Sequence, residues 1–325
     1  MDSLTPVDKL EIQVLVDNAT DNLSSVPGFV ETELAYLERH GMTELTGDCL
    51  CCACHGLSLL IVASRGASRH AVLFDSGPEE YAFERNSRRL GVNLGQVESV
   101  VLSHGHWDHA GGMLKALELI GAGNGGREVP YYAHPGMFAS RARRLANGSF
   151  LPTKDVPKPP ALAAHGARVL SLTESATFLD EMFFVSGEIA RVTPFEKGLP
   201  AHYQKSADGQ WEPDPWLRDE RFLAVQVKDK GLVIFTACSH AGVINVLSHA
   251  RQCFPAVPLY AVAGGLHLSG PNESIIAQTV AALAPFELSV IATGHCTGWR
   301  ATVALANAFS DATLVPLAVG KRYSF

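Results

Sequence analysis

The stretch Ser103-His104-Gly105-His106-Trp107-Asp108-His109-Ala110-Gly111-Gly112 places three imidazoles and a carboxylate within six positions. These are cation-ligand types. Neutral imidazole suits zinc, iron, nickel and copper, and a carboxylate adds negative charge that helps hold a second cation close by. The stretch follows an apolar, strand-like run, Val97 to Leu102, and precedes a helix-like run from Met113 to about Ile120. In a sharp strand-to-helix loop the side chains follow neither period. His104 and His106 can therefore serve one cation while Asp108 and His109 serve its neighbour. Gly105, Gly111 and Gly112 let the backbone turn tightly beside them. A chain with 13 histidines in 325 residues rarely produces this spacing by chance.

The elements that must position these groups are strands ending in polar loops. Three later histidines occupy the same place in such a unit. The run Leu232 to Thr236 leads into Ala237-Cys238-Ser239-His240-Ala241-Gly242, and Leu259 to Ala263 leads into Gly264-Gly265-Leu266-His267. Leu288 to Ala292 leads into Thr293-Gly294-His295-Cys296-Thr297-Gly298. α/β folds build sites from loops at one edge of a sheet, so His240, His267 and His295 are expected to converge on the first cluster. Further strands are read at Glu11–Val16, Leu57–Ala63, His70–Phe74, Tyr131–His134, Arg168–Leu172, Met182–Val185 and Phe222–Val227. Helices are read over about 28–40 and 79–90, the second ended by Gly91.

Other candidate ligands carry two readings each. Cys49, Cys51, Cys52 and Cys54 lack the paired C-x-x-C spacing of a structural zinc site, and are either packed thiols or the edge of the cleft. His55 follows them just before a strand and can point into the same cleft. Glu188 and Glu196 are either cation ligands or solvated, salt-bridged carboxylates. His134 reads as structural or close to substrate.

Composition narrows the class. At 47% hydrophobic and 18% charged residues, the chain reads as one globular domain over 1–325 with a sizeable core. It divides into two pseudo-equivalent halves, roughly 1–148 and 161–325, joined by a Pro/Lys-rich loop. Residues 193–221 carry Pro, Trp and charge with little periodicity, and are expected to form a lid or pocket insertion in which Tyr203, Trp211 and Trp216 shape the cavity. Trp107 and Trp299 flank the ligand loops. A net charge of −7 argues against nucleic-acid and anionic-membrane partners and for a small-molecule substrate. The arginine clusters at 85, 88, 89 and at 141, 143, 144 read as solvated helix faces, with phosphate binding as the minority reading. No apolar run is long enough for a membrane span, and Met1 to Leu10 has no apolar leader core. Seven cysteines, an odd number, do not suggest a disulfide framework, so a reducing cytoplasm is the expected compartment. Oligomeric state is left open.

The motif His104-x-His106-x-Asp108-His109 resembles that of the metallo-β-lactamase fold superfamily. The wider pattern is similar to its dihydropterin synthase-like branch, through Val16-Asp17-Asn18, His55-Gly56-Leu57-Ser58, Leu73-Phe74-Asp75-Ser76-Gly77 and Gly187-Glu188-Ile189, and through the three histidine loops above. The resemblance implies an α+β, αββα sandwich, with two mixed sheets face to face, helices outside and cations at one edge. It implies His104, His106, Asp108, His109, His240 and His295 as ligands of one or two zinc ions, manganese and iron being alternatives. His267 is a ligand or a substrate contact. Many members end a strand of the second half with Thr-Gly-Asp, whose Asp bridges two metals. Here Thr236-Ala237-Cys238-Ser239-His240 has no carboxylate, which implies a weaker second site.

The expected activity is metal-dependent hydrolysis. A cation lowers the pKa of bound water to near neutrality, generating hydroxide to attack an ester, lactone, amide or phosphoester, with Asp108 able to orient that water or accept its proton. The branch implies instead a transferase with a diphosphate leaving group. A non-hydrolytic iron redox or binding protein is the third alternative.

Overall fold

Ser58–Arg65 reads Ser-Leu-Leu-Ile-Val-Ala-Ser-Arg, apolar without alternation. Successive side chains leave a strand on opposite faces, so such a run must feed two cores. Leu59, Ile61 and Ala63 pack in one, and Leu60 and Val62 in another. Gly231–Thr236 behaves likewise, with Val233 and Phe235 facing the shared core and Leu232 and Ile234 facing away.

The computed structural model describes residues 4–325; residues 1–3, the start of the segment read above for a leader, lie outside the described residues. An eight-stranded sheet runs in the order Val30–Glu31, Arg322–Ser324, Lys9–Val16, Ser58–Arg65, Ser68–Phe74, Val97–Val101, Val129–Ala133, Ala167–Ser171. A six-stranded sheet runs Ala176–Phe178, Phe183–Val185, Leu223–Val227, Gly231–Thr236, Leu259–Gly265, Val290–Gly294. Their inner faces share the central core. The helices Glu80–Arg89 and Met113–Asn124 cover the first sheet through Phe83, Met113, Ala116, Leu117 and Ile120. Val243–Cys253, Ile276–Leu283 and Trp299–Ala308 cover the second through Val246, Leu247, Ala250, Leu283, Ala301 and Leu305. The layers are α, β, β, α, as expected. The first sheet takes Ala167–Ser171 from beyond the Pro/Lys-rich loop and Arg322–Ser324 from the C-terminus.

Within each sheet the strands that carry the site run parallel to one another. Ser68–Phe74 and Val97–Val101 pair in parallel in the first, and Gly231–Thr236, Leu259–Gly265 and Val290–Gly294 do so in the second. All these strands therefore deliver their C-terminal loops to one edge. Just past the strand ends the backbone enters the left-handed region at non-glycine residues, with φ 58° at Asp75, 52° at Ser239, 44° at His267 and 48° at His295. Such strained turns persist where the surroundings hold them, and here they mark the functional edge.

The 193–221 segment is more ordered than its sequence suggests. His202–Lys205 and Trp211–Pro213 pair with each other, and with Arg141–Arg144 and Phe150–Pro152 form a four-stranded antiparallel sheet. Phe150 holds it together, edge-on to Tyr203 at 4.9 Å and stacked on Trp211 at 5.8 Å. Tyr203 and Trp211 thus pack this small sheet, and neither they nor Trp216 line the large cavity. The Pro/Lys-rich loop is also partly structured, supplying Phe150–Pro152 and starting the helix Pro159–Ala164 with Pro at its first turn. The weak helix read over 28–40 is a two-residue strand, Val30–Glu31, followed by the helix Glu33–Arg39, which Thr32 caps. No helix among the described residues is long and apolar enough to cross a membrane.

Candidate metal centre

His104, His106 and His240 bring one nitrogen each into a common space. His104 Nε2 lies 3.0 Å from His106 Nδ1 and 3.2 Å from His240 Nε2. Beside them stands a second group, in which His109 Nε2 is 3.2 Å from His295 Nε2, and Asp108 Oδ2 is 3.4 Å from His295 Nε2 and 3.8 Å from His109 Nε2. The six residues read from sequence as ligands therefore meet, in two triads drawn from both sheets.

The outward nitrogens decide what the inward ones carry. Ser103 donates from N and Oγ to the buried Asp75 carboxylate at 2.8 and 2.6 Å, so its Oγ accepts the Nδ1–H of His104 at 2.9 Å. Asp75 also accepts from His109 Nδ1 at 2.7 Å. Asn18 is fixed by backbone, its Oδ1 accepting from Gly56 N and its Nδ2 donating to His295 O. Asn18 Oδ1 must then accept the Nδ1–H of His295 at 3.0 Å. His202 donates from Nδ1 to the carbonyl of Asp214 at 2.8 Å, so its Nε2 accepts the Nε2–H of His106 at 3.1 Å. Each neutral ring has spent its single N–H outward, and its lone pair faces inward. Burial first, then the neighbouring charge of His109, Arg141 and His267 respectively, holds His104, His106 and His240 well below the ordinary histidine range. Lone pairs about 3 Å apart repel each other, and a shared cation relieves that repulsion. His240 Nδ1 is buried without a partner, so the inward nitrogen is the one with neighbours. The residues present fit a divalent cation at each triad.

Asp108 is kept ionised. Burial opposes that, but His109, His295 and His55 around it hold its carboxyl well below the usual range. His109 is lifted to about 9, burial being outweighed by Asp108 and Asp75. A cation taken up at His109 therefore displaces a proton. His55 accepts at Nδ1 from Asn18 Nδ2 at 3.1 Å, so its Nε2–H points at Asp108 Oδ2, 3.4 Å away. His55, with 58% of its side chain exposed, is thus a donor to Asp108 at the mouth of the cleft.

Buried carboxylates set the loops themselves. Asp219 accepts from Gly105 N at 2.8 Å and pairs with the buried Arg141 at 2.7 Å. Gly105 is required there, because a Cβ would meet the Met137 carbonyl and the Arg141 guanidinium. Glu220 accepts from His240 N at 2.7 Å and from Ala241 N, while Asp17 Oδ1 accepts from His295 N at 2.8 Å. Sequence reading gave none of Asp17, Asn18, Asp75, His202, Asp219 or Glu220 a role. Readable signals existed for five of them: Asp17, Asn18 and Asp75 lie in stretches that carry the family resemblance, and Asp219-Glu220-Arg221 is a fully charged triplet directly before an apolar strand. His202 had none, since its partner is 96 residues away.

Other candidates fall outside. Glu188 lies on a separate surface hollow with His249, its carboxylate half-exposed near His134 and Arg218, and joins no cation-capable group. Of its two readings from sequence, this is the solvated, salt-bridged one. Glu196 caps Val243–Cys253, accepting from Ile244 N and Asn245 N at 2.9 Å each. His134 accepts from Gly136 N at 3.0 Å and is structural. In the Cys49–Cys54 run the backbone N–H groups of Cys51 and Cys52 donate to Glu33 and Asn86, burial with Glu33 pushes the Cys51 thiol far up, and none of the four sulfurs joins a cation-capable group among the described residues. His267 does reach the site, its Nδ1 lying 3.6 Å from Cys238 Sγ. Trp299 is exposed and Trp107 lines the cleft. The cleft is a cavity of about 660 Å³ over both triads, walled by Arg143, Arg144, Leu199 and His202 as well as by site residues.

This geometry has relatives. The profile of the metallo-beta-lactamase superfamily matches residues 53–180. The 7,8-dihydropterin-6-methyl-4-(beta-D-ribofuranosyl)-aminobenzene-5'-phosphate synthase of Methanocaldococcus jannaschii is 31% identical over 255 residues, covering 76% of this chain and 82% of that protein. An uncharacterized protein of the same organism, MJ0448, is 28% identical over 253 residues, 77% of this chain and 87% of its own. The solved structure of Tm1679, a metal-dependent hydrolase of the beta-lactamase superfamily, superposes with a TM-score of 0.69 at 22% identity, covering 96% of this chain and 98% of that one.

Proposed function

Because the chain belongs to the metallo-beta-lactamase superfamily, we propose that it is a metal-dependent hydrolase of a small molecule, cleaving an ester, lactone, amide or phosphoester in the cleft beside Asp108. The observation that carries this reading is the pair of inward-facing triads, His104–His106–His240 and Asp108–His109–His295, which reach a cavity of about 660 Å³ through His106, His240 and Asp108. A divalent cation held there acidifies water and polarises a carbonyl or phosphoryl oxygen. Zinc is the proposed cation.

The chain's own groups do the rest. Asp108 is ionised, so its carboxylate can accept a hydrogen bond from water at the cleft and orient it. The Nε2–H of His55 steadies that carboxylate, and the exposure of His55 leaves it open to exchange with solvent. Asp75 and Asn18 keep His109 and His295 turned inward, and Asp219 and Glu220 hold the loops in register.

One observation favours a second reading. The 31% identity to a synthase extends over most of both chains. The same donors could stabilise an oxyanion leaving group while an aryl amine, rather than water, adds. Purified protein loaded with zinc should hydrolyse p-nitrophenyl esters, phosphodiesters or lactones, with turnover abolished by chelator and restored by one metal. Hydrolysis untouched by chelation would refute the proposal. No hydrolysis, but coupling of an arylamine to an activated pterin, would establish the second reading.

A further inference from the structure

The two triads leave a gap between them, and sulfur stands in it. Cys238 lies on the loop after Gly231–Thr236, two residues before His240, and Cys296 directly follows His295. Both are buried free thiols on the cavity wall, with their Sγ atoms 2.9 Å apart. Cys238 Sγ lies within 4.8 Å of ligand atoms of His104 and His109, of His240 and His267, and of His295 and Cys296. His104 and His240 belong to the first triad, and His109 and His295 to the second. A donor in reach of both is placed to touch two cations at once. Its own loop, Thr236-Ala237-Cys238-Ser239-His240, brings no carboxylate to the place, and the next strand runs into Gly264-Gly265-Leu266-His267. Gly265 is needed beside it, because a Cβ there would press on Cys296 Sγ and the Ala237 carbonyl.

We propose that Cys238 is a thiolate ligand shared by the two cation positions, with the Cys296 thiol as its sulfur neighbour. The inference rests on the cation-binding reading above and deepens it. On binding, the Cys238 thiol proton leaves to solvent and the sulfur lone pairs go to the cations; nothing is oxidised or reduced. The ligand class follows from sulfur's softness. The site selects zinc, iron(II) or cobalt(II) over magnesium and manganese, which prefer an all-oxygen shell. It also gives the second position a firm ligand where a missing carboxylate implied weak binding.

Chelator-stripped, reduced wild-type protein is titrated anaerobically with cobalt(II). A near-ultraviolet thiolate-to-cobalt charge-transfer band should grow with uptake, disappear in Cys238→Ser and persist in Cys296→Ser. X-ray absorption of the zinc-loaded wild type provides a measurement that needs no variant, with a sulfur scatterer expected at about 2.3 Å beside the nitrogen and oxygen shell. A cobalt-loaded wild type without the band, a band surviving Cys238→Ser, or a zinc shell of nitrogen and oxygen alone would overturn the proposal while leaving the cation site standing. A disulfide would also overturn it, seen as two fewer than the seven free thiols when unreduced protein is unfolded and titrated. Wild type that takes up no cobalt would overturn both this proposal and the reading it rests on.

Discussion

His202 supplies the sharpest test of how the site is oriented. Its imidazole comes from the small antiparallel sheet and its Nε2 takes the outward N–H of His106 at 3.1 Å. The carbonyl of Asp214, 2.8 Å from His202 Nδ1, fixes the accepting tautomer. In His202→Ala the half-buried His106 N–H loses its acceptor at the cavity wall. A donor left wholly without a partner costs about 1–3 kcal/mol, which bounds the effect from above. Where that cost falls on the cation-bound form, it is a factor of about 5 to 150 in affinity, at about 1.4 kcal/mol per tenfold. Loss of an outer partner of a ligating histidine typically costs about 10–100-fold, which agrees. The assay is competition between the protein and a chromophoric chelator for zinc. One equivalent should weaken about 10–100-fold and the other should hold, because His202 touches only the first triad. His202→Gln, whose amide oxygen can accept, should recover part of the loss. Tyr203→Ala, on the same strand but packed on Phe150, should lower the melting temperature without moving affinity. Zinc bound by His202→Ala as tightly as by wild type would refute the tautomer argument and the orientation it assigns to His106.

Other outcomes follow from the same contacts. His104→Ala should abolish binding at the first triad and chelator-sensitive turnover together, read by metal analysis and a hydrolysis screen. Asp219→Ala strands the buried Arg141 guanidinium and should cost about 3–5 kcal/mol in urea unfolding, whereas an exposed pair would cost under about 1 kcal/mol. Gly105→Ala should weaken zinc binding and lower the melting temperature, since the new Cβ has only the Met137 carbonyl and Arg141 to displace. Glu188→Gln should leave zinc affinity and turnover at wild-type values, and a measurable loss would return that carboxylate to the site.

What sequence showed was local and what it missed was long-range. The motif from His104 to His109 is one loop, so its ligands could be read from spacing. His240, His267 and His295 could be read because each ends an apolar run beside glycine, and parallel strands must present such ends together. The small sheet escaped because its strands are three or four residues long, too short for a period. Its pairing joins Arg141–Arg144 to His202–Lys205 across some sixty residues of chain. The partners that set the tautomers escaped for a different reason. Asp17 and Asp75 follow strands as many turn residues do, and only the folded contact separates a turn aspartate from one that holds His295 or His109. Glu188 shows how two readings left open by residue type are separated, since its half-exposed carboxylate faces His134 and Arg218 in a hollow apart from the ligand loops.

Asp17, Asp75, Asp219 and Glu220 are all buried, and each grips the backbone of a ligand-bearing loop, at His295, Ser103, Gly105 and His240 respectively. Asp219 alone among them contacts a guanidinium. Burial pushes Asp17 up to about 6 against the pull of His295, and also raises Glu220 despite the nearby Arg191, so this concentration of negative charge is costly in itself. The cost has a structural return, because amides bonded to carboxylates hold the left-handed turns at Ser239 and His295 in a conformation those residues would otherwise leave. It has an electrostatic return as well, since the carboxylates ring the place where two positive ions would sit. A cation that binds only the folded chain adds stability as the logarithm of its concentration over its dissociation constant. Loop order, buried charge and cation affinity are then one coupled quantity. A change that loosens any of these carboxylates must weaken the grip on the cation, whereas trimming Leu59 or Phe235 in the shared core acts on folding and leaves that grip intact.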